Sequence, residues 1–241
     1  MKIEGRNAVL EALKSGRVVE RVYVKSGERE GSIRAVLARA REAGCLVDFV
    51  EKTQLDAMSE TGRHQGIVAL CSAHEYAEIG DMLALAAERE EAPFIVMPDG
   101  LYDPHNLGAI IRTAEAAGAH GCVIPKRRAV GITAAVVRAS AGAVAHMPVA
   151  RVTNMVAAMK ELKDAGLWIC GASMDGQSLY DADLSGPVAV VIGGEDGGLG
   201  QLVSKNCDFT VRIPMRGQIG SLNASVAAGI IMMEVARRRT T

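Results

Sequence analysis

The chain has 241 residues, of which 49% are hydrophobic, and its formal net charge at pH 7 is −1. This length predicts two domains, or one large α/β domain with a small companion, and the apolar share is enough for a full core. The net charge gives no global sign of a nucleic-acid partner, so any RNA or DNA contact must come from local patches. No apolar run approaches the ~20 residues that a membrane-spanning helix needs.

The cysteines indicate a cytoplasmic protein. The five of them are scattered along the chain and none belongs to a CxxC pair. This pattern favours reduced thiols over a disulfide framework or a zinc site, and no metal is predicted. Several lie in apolar, strand-like runs, where buried packing is the expected role. The segment Met1–Arg6 also lacks the apolar core of a secretory signal.

Residues 1–71 alternate short helical and strand patterns and predict a small α/β domain. Arg6–Ser15 has apolar residues at helical spacing. Ser32 is expected to cap a second helix, Ser32–Ala43, with Gly44 just past its end. The predicted strands are Arg21–Lys25, Leu46–Val50 and Ile67–Cys71.

Residues 72–80 are polar and predict a linker, and residues 81–241 predict a larger domain. There, apolar strands alternate with helices, which is typical of a mainly parallel sheet covered on both faces. Ligands in such sheets bind beyond the carboxyl ends of the strands, so the loops after residues 97, 170, 192 and 213 are expected to hold the site. The predicted strands are Phe94–Met97, Gly121–Ile124, Leu167–Cys170, Val188–Ile192 and Phe209–Ile213; the predicted helices are Asp81–Glu90, Leu107–Ala117, Thr133–Ser140, Met155–Asp164 and Leu199–Asn206.

The loop and helix after the first of these strands place polar residues at the sheet edge. Asn106 is a strong N-cap candidate for the helix Leu107–Ala117. Arg112 falls off the apolar stripe of that helix, and Gly108, one turn earlier, is expected to leave room beside it. A permanent cation near a strand end suits phosphate binding, although a surface arginine needs no such role.

A glycine-rich loop follows the strand Val188–Ile192. It reads Gly193-Gly-Glu-Asp-Gly-Gly-Leu-Gly200, which matches neither the P-loop nor a Rossmann fingerprint. A tight turn alone explains many such loops. The carboxylates Glu195 and Asp196 would repel a phosphate, so a neutral or cationic ligand fits this loop better.

The last loop, Ile213–Ser225, leads into an apolar helix. Ser221 is the expected N-cap, because it precedes a periodic apolar run. The segment Val226–Val235 is apolar most of the way round, so it must be buried on several sides, in a core or a subunit interface.

Two basic clusters are candidate RNA contacts, and ordinary solvation of a protein surface explains them as well. One belongs to the N-terminal domain and includes the polar turn 61–66, and the other follows the second strand of the larger domain. The candidates are Arg6, Arg63 and His64 in the first cluster and Lys126, Arg127 and Arg128 in the second.

Together, the three loops resemble the signature motifs of the SpoU (TrmH) family of RNA 2′-O-ribose methyltransferases, in the SPOUT class. The N-terminal segment also resembles the small, L30e-like substrate-binding domain of this family. The matching segments are Asp103-Pro-His-Asn-Leu-Gly with Arg112, Val191-Ile-Gly-Gly-Glu-Asp-Gly-Gly198, Ile213-Pro-Met with Ser221-Leu-Asn-Ala-Ser225, and, in the N-terminal domain, Ile3–Leu13 and His64–Ile67.

The resemblance implies a fold, a cofactor and an assembly. The C-terminal domain is expected to carry a deep trefoil knot, an exception to the rule that chains do not thread themselves. The cofactor is expected to be S-adenosylmethionine, and the protein a homodimer with the Val226–Val235 helix at or near the interface. The resemblance places the cofactor near Ala172, Gly193, Ile213, Met215 and Leu222.

It also implies the catalytic residues Asn106, Arg112, Glu195, Ser221 and Asn223. Arg112 stands at the reacting centre, either as a base or as a clamp on the adjacent phosphate. We favour the clamp, because a free guanidinium stays protonated.

The implied substrate is a guanosine ribose of 23S ribosomal RNA, since the motifs are most similar to the branch of the family that methylates the peptidyl-transferase P loop. A tRNA ribose methyltransferase, or a resistance enzyme acting on another rRNA loop, is the alternative within the family. Outside it stand a non-catalytic L30e-like RNA-binding protein and a Rossmann-type nucleotide enzyme. Arg112, Glu195 and Asn223 occur together, which argues against the former, and a missing G-x-G-x-x-G argues against the latter.

Overall fold

The computed structural model describes residues 1–15, 17–28, 31–194, 197–218 and 220–240. The chain divides into two compact units, and the first boundary between them falls inside the segment 72–80. One unit is Met1–Glu75 with Ile132–Ala134, and the other is Tyr76–Gly131 with Ala135–Thr241.

The first unit is a four-stranded mixed sheet with helices. Its strands lie in the order β1-β4-β2-β3, with β2 and β3 parallel and the other pairs antiparallel. Val9, Val22 and Ile33 lie at the centre of its core with no exposed surface. The elements are β1 Lys2–Glu4, α1 Arg6–Lys14, β2 Val19–Lys25, α2 Ser32–Glu42, β3 Leu46–Val50, α3 Lys52–Met58 and β4 Ile67–Cys71.

The second unit is a six-stranded sheet with helices. Its strands lie in the order β10-β8-β9-β5-β6-β7, and all five neighbouring pairs are parallel. The elements are α4 Ile79–Glu88, β5 Phe94–Asp99, α5 Pro104–Ala116, β6 Gly121–Pro125, α6 Ala134–Ala139, β7 Val149–Val152, α7 Met155–Asp164, β8 Trp168–Ser178, β9 Val188–Gly193, α8 Gln201–Asn206, β10 Phe209–Arg212 and α9 Ala224–Arg239, with single 3-10 turns at Ala143–Ala145 and Leu179–Asp181.

The predicted α/β architecture with a mainly parallel sheet is confirmed. Every residue of Val188–Ile192 is buried, as expected for a central strand. From β5 the chain moves to β6 and β7 on one side, whereas from β9 it moves to β10 on the other side. The carboxyl ends of β5 and β9 therefore flank a topological switch point, where parallel sheets bind ligands. The knot stays a prediction.

Strand β8 differs most from the sequence expectation. It runs for 11 residues instead of ending at Cys170, and its pairing with β10 jumps from Thr210↔Gly171 to Val211↔Gln177. The intervening residues, 172–176, form a bulge at the carboxyl edge of the sheet. Gly176 closes the bulge, because a Cβ there would lie 2.6 Å from the backbone of Thr210.

Helix α9 ends in a half-buried arginine. The Arg239 guanidinium donates to the carbonyl oxygens of Ala92 at 2.6 Å, Gly186 at 2.7 Å and Pro93 at 3.1 Å. It also lies 5.2 Å from the centroid of the Phe94 ring. These contacts tie the end of α9 to the start of β5. Among the described residues, no helix is long and apolar enough to cross a membrane.

The N-cap of α2 was predicted wrongly. Ser32 is already the first helical residue, and Gly31, with φ +64°, occupies the cap position. The strands β1 and β7 and the helix α3 were not predicted, because each is short and polar residues interrupt its apolar pattern.

Candidate active site

The loops after β5 and β9 touch at the carboxyl edge of the sheet, and glycines make this contact possible. A Cβ added to Gly194 would lie 2.4 Å from the Gly100 carbonyl oxygen. One added to Gly193 would lie 2.1 Å from the carbonyl carbon of Gly198. Only glycine fits at either position, so the predicted close backbone approach at this loop is present.

One side-chain hydrogen bond joins α5 to the start of α9. The Asn223 Nδ2 donates to Asn106 Oδ1 at 3.0 Å, across 117 residues of sequence. The Asn223 Oδ1 accepts from the backbone N–H groups of Ser225 at 2.9 Å and Val226 at 3.3 Å. Asn223, rather than the predicted Ser221, is therefore the N-cap of α9. One asparagine caps a helix and positions a second asparagine.

Asn106 is not the N-cap of α5 either. The cap is Asp103, whose Oδ1 accepts from the backbone N–H of His105 at 2.9 Å, and Pro104 is the first helical residue. Asn106 lies in the first turn, only 6% exposed. Its amide therefore serves the contact with Asn223 instead of capping its own helix.

Arg112 lies on α5, two turns from its start, and its side chain is exposed. Among the described residues it makes no hydrogen bond or ion pair. The prediction that Gly108 leaves room beside Arg112 is wrong, because the end of α6 fills the space at Gly108. A Cβ at Gly108 would lie 2.4 Å from the Ala139 Cβ and 3.0 Å from the Ser140 nitrogen. The glycine allows α5 to approach the end of α6 closely. Arg112 is exposed because it lies off the buried stripe.

The predicted cofactor residues follow three adjacent strands, β10, β8 and β9, at the same edge of the sheet. Ala172 lies in the β8 bulge and Gly193 ends β9, both half-buried. In the loop after β10, Ile213 is half-buried, whereas Met215 is 42% and Leu222 37% exposed. The structure thus gathers apolar side chains and bare backbone at one place.

Two further catalytic candidates belong to these loops. Ser221 is exposed in the loop between β10 and α9. This loop reaches the β8 bulge, since a Cβ at Gly220 would lie 3.6 Å from the Met174 Cε. Glu195 lies outside the described residues.

Asp99 is a residue at this edge that sequence reasoning did not single out. It is the last residue of β5, it pairs in register with Gly193, and it is half-buried. Burial raises the pKa of its carboxyl above the usual 3.8. Its carboxylate has no hydrogen-bond or ion-pair partner among the described residues. The available signal was an acidic residue that ends an apolar strand directly before a glycine.

In the N-terminal unit, two of the three candidate RNA contacts serve the structure of the turn 61–66. The Arg6 guanidinium binds Glu28 at 2.6 Å and the Gln65 carbonyl oxygen at 3.0 Å. His64 is 5% exposed, with Nε2 at 2.9 Å from Asp56 Oδ1 and Nδ1 accepting from the Gly66 N–H. Arg63 is exposed. Of the three, Arg63 is the side chain that the structure presents to solvent.

Glu4 organises the start of the same turn. Its carboxylate accepts hydrogen bonds of 2.6 Å from Ser59 Oγ, Thr61 Oγ1 and the Glu60 N–H. These bonds, that from Ser59 foremost, lower the pKa of Glu4 to about 2. The ionised carboxylate therefore holds the turn that displays Arg63.

The second basic cluster follows β6 at the carboxyl edge of the larger sheet. Lys126 is half-buried, and its N–H donates to the Val152 carbonyl oxygen at 2.7 Å. Arg127 and Arg128 are exposed. Over the described residues, no group of three or more His, Cys, Asp or Glu side chains is arranged to hold a metal ion.

Comparison with known proteins matches both parts of the chain. Residues 93–233 match the SpoU rRNA Methylase family, and residues 2–77 match a domain described as RNA 2′-O ribose methyltransferase substrate binding. A protein of Bacillus subtilis, assigned to the TrmH family of tRNA/rRNA methyltransferases, is 47% identical over 98% of this chain and 94% of its own length.

Two solved structures show different coverage. The AdoMet-bound rRNA methyltransferase of Sinorhizobium meliloti is 27% identical, with a TM-score of 0.60, over 98% of this chain and 86% of its own. The TrmH/SpoU tRNA modifying enzyme of A. aeolicus is also 27% identical, with a TM-score of 0.57, over 67% of this chain and 85% of its own.

Proposed function

The chain belongs to the SpoU (TrmH) family of RNA 2′-O-ribose methyltransferases, and we propose that its substrate is a guanosine of 23S ribosomal RNA. The family uses S-adenosylmethionine, which is the cofactor in the Sinorhizobium meliloti structure. The share of this chain that each solved structure matches supports ribosomal RNA as the substrate. The rRNA enzyme matches 98% of this chain, whereas the tRNA enzyme matches 67%. Guanosine as the modified nucleoside rests on the resemblance of the motifs.

We place the cofactor at the loops after β8, β9 and β10. The chemistry of the residues there fits it, because Met215 and Leu222 offer exposed apolar surface to a purine and the glycine-rich loop that begins at Gly193 offers backbone without side chains. When bound, the cofactor supplies a methyl group on a positively charged sulfonium. Ala172 and Ile213 complete the proposed site, and Glu195 is proposed to lie near the positive charge.

Arg112 is proposed to act on the RNA. Its guanidinium binds the phosphate next to the reacting ribose and stabilises the negative charge that develops on the 2′-oxygen. The observation that carries the assignment is the Asn223–Asn106 hydrogen bond, because it joins the helix of Arg112 to the helix that follows the proposed cofactor loop. Ser221 is proposed to orient the ribose beside this pair.

The RNA is proposed to contact cations on each unit. Arg63 is the candidate on the N-terminal unit, and Lys126, Arg127 and Arg128 are the candidates on the larger unit. His64 and Arg6 are proposed to support the turn that carries Arg63, since their polar atoms already have partners within the unit.

A homodimer is proposed through helix α9. Val226 and Met233 are each 50% exposed, and their spacing of seven residues places them on one face of the helix. Exposed apolar side chains on one face of a helix whose opposite face packs in the core are typical of a subunit interface.

The substrate is tested by mapping. Purified protein is incubated with S-adenosylmethionine and either 23S rRNA or total tRNA, and 2′-O-methyl sites are located on each RNA. We expect one modified guanosine in 23S rRNA and none in tRNA. Modification of tRNA alone would overturn the choice of ribosomal RNA and leave the family assignment standing.

The role of Arg112 is tested by Arg112→Ala. This variant should lose methyl transfer while its affinity for S-adenosylmethionine, measured by calorimetry, stays within about twofold of the wild type. Arg89→Ala, which removes an exposed arginine that follows α4, is the matched control. Normal turnover by the Arg112 variant would contradict the assignment.

A further inference from the structure

The proposed reaction does not use the carboxylate of Asp99 at the sheet edge. The side chain is half-buried, and among the described residues nothing donates a hydrogen bond to it. Burying an unpaired carboxylate costs free energy, and burial accordingly raises its pKa. Such a group is a candidate for a functional contact, in which a cation or a hydrogen-bond donor meets it.

The position of Asp99 identifies where that partner lies. It ends β5 opposite Gly193 of β9, at the switch point of the sheet. A Cβ added to Gly200 would lie 3.9 Å from Asp99 Oδ2, in van der Waals contact. Asp99 therefore adjoins both ends of the glycine-rich loop 193–200, with its backbone beside Gly193 and its carboxylate near Gly200. The same loop begins with the residue proposed to hold the cofactor.

We propose that Asp99 binds a positive charge of S-adenosylmethionine and so positions the cofactor beside Gly193. The cofactor carries two cationic groups, the sulfonium and the α-ammonium, and a carboxylate is the complementary partner for either. The inference rests on the proposed cofactor site and is independent of which RNA is methylated. It adds a residue of β5 to a site otherwise built from the loops after β8, β9 and β10.

The test is the affinity of Asp99→Asn for three ligands, measured by calorimetry on the full chain. S-adenosylmethionine carries both positive charges, S-adenosylhomocysteine keeps only the ammonium, and 5′-methylthioadenosine carries neither. We expect the variant to bind S-adenosylmethionine about tenfold more weakly or worse. We expect it to bind 5′-methylthioadenosine like the wild type. Unchanged S-adenosylhomocysteine affinity assigns the sulfonium, and an equal loss assigns the ammonium.

Two results would overturn the proposal. One is wild-type affinity of Asp99→Asn for S-adenosylmethionine. The other is an equal loss for 5′-methylthioadenosine, which would mean that Asp99 only shapes the loop. Asp99→Glu, which keeps the charge, should recover part of the lost affinity. Asp164→Asn is the matched control, because Asp164 is an exposed carboxylate at the end of α7.

The role of Asp99 and the identity of the RNA substrate are tested separately. If Asp99→Asn binds all three ligands normally while the wild type methylates 23S rRNA, the proposed role of Asp99 is wrong and the proposed reaction is supported. If the wild type binds S-adenosylmethionine but modifies only tRNA, the proposal of 23S rRNA as the substrate is wrong. The ligand affinities of Asp99→Asn then still decide the role of Asp99. A melting curve for each variant, with a midpoint within a few degrees of the wild type, guards against a folding defect.

Discussion

At the scale of single residues, Asn223 shows why an asparagine is needed at its position. Its Oδ1 caps α9, and its Nδ2 donates to Asn106. Serine and aspartate also cap helices well, but aspartate has no N–H with which to donate. An amide performs both tasks at once, which couples the start of α9 to the first turn of α5.

Asn223→Asp should therefore separate the two tasks. The aspartate still caps α9, but one of its carboxylate oxygens then faces Asn106 Oδ1 in place of the Nδ2 donor. We expect a melting midpoint close to that of the wild type and a fall in methyl transfer of about tenfold or more. Asn223→Ala, the comparison, also loses the cap and should be destabilised by about 1 kcal/mol. Full activity of Asn223→Asp would show that the bond between the asparagines does not serve catalysis.

A second prediction at this scale concerns His120, which has no exposed surface. Its Nδ1 accepts from the Phe94 N–H at 3.0 Å and its Nε2 lies 2.9 Å from Glu91 Oε2. Burial lowers the pKa of the imidazole below 6.5, outweighing the opposing pull of Glu91. The unfolded chain thus takes up a proton more readily than the folded chain. The contribution of neutral His120 to the free energy of unfolding is therefore complete above pH 6.5 and is lost as the pH falls below it.

The measurement is urea unfolding between pH 7.5 and 5.5. The free energy of unfolding should fall in this window by at most about 1.4 kcal/mol per pH unit from this group. Replacing the histidine in His120→Gln should flatten the dependence, while His105→Gln, at an exposed histidine, should leave it unchanged. An identical slope for His120→Gln and the wild type would contradict the prediction.

At the scale of elements, helix α9 has one buried and one exposed apolar side. Ala228, Ile231 and Val235 pack within the unit, whereas Val226 and Met233 are 50% exposed. Its near-continuous apolar sequence therefore exceeds what one chain buries, which is the basis for the proposed homodimer.

Val226→Glu should break that dimer. A charge in the centre of an apolar interface loses its hydration without gaining a partner, so the dimer dissociation constant should rise at least roughly a hundredfold. Sedimentation velocity measures it directly. Leu202→Glu, at a side chain of α8 that is 71% exposed, is the matched control and should leave the mass unchanged. A wild-type monomer at micromolar concentration would refute the proposed assembly.

At the scale of the whole molecule, the sequence predicted the parallel sheet well because its strands are buried on both faces and read as continuous apolar runs. Strand β7 was missed because Arg151 interrupts it, and this side chain is accommodated over the Tyr76 ring at 5.5 Å from the centroid. The partner of the interrupting charge lies far away in sequence, so no local pattern reveals it.

The errors at the site have the same origin. The sequence predicted the right kind of cap for α5 and α9 but chose Asn106 and Ser221 instead of Asp103 and Asn223. Several capping residues occur in each loop, and the choice among them depends on the contact between Asn106 and Asn223 across 117 residues. The loops proposed to carry the site follow from the strand ends, whereas the capping positions within them depend on tertiary contacts.

The net charge of −1 leads to the last prediction, because a protein without overall positive charge must bind RNA through a few local cations. Removing one of them should weaken binding to all RNA sequences alike and reduce the slope of log affinity against log salt concentration by about 0.7 to 0.9. Arg63→Ala and Arg127→Ala test this on the two units, and their slopes should add in the double variant. Arg41→Ala, at an exposed arginine of α2, is the control, and filter binding across a salt series is the measurement. Retained S-adenosylmethionine affinity in every variant would show that RNA binding alone has changed. An unchanged slope for Arg127→Ala would show that the cluster after β6 does not contact the RNA.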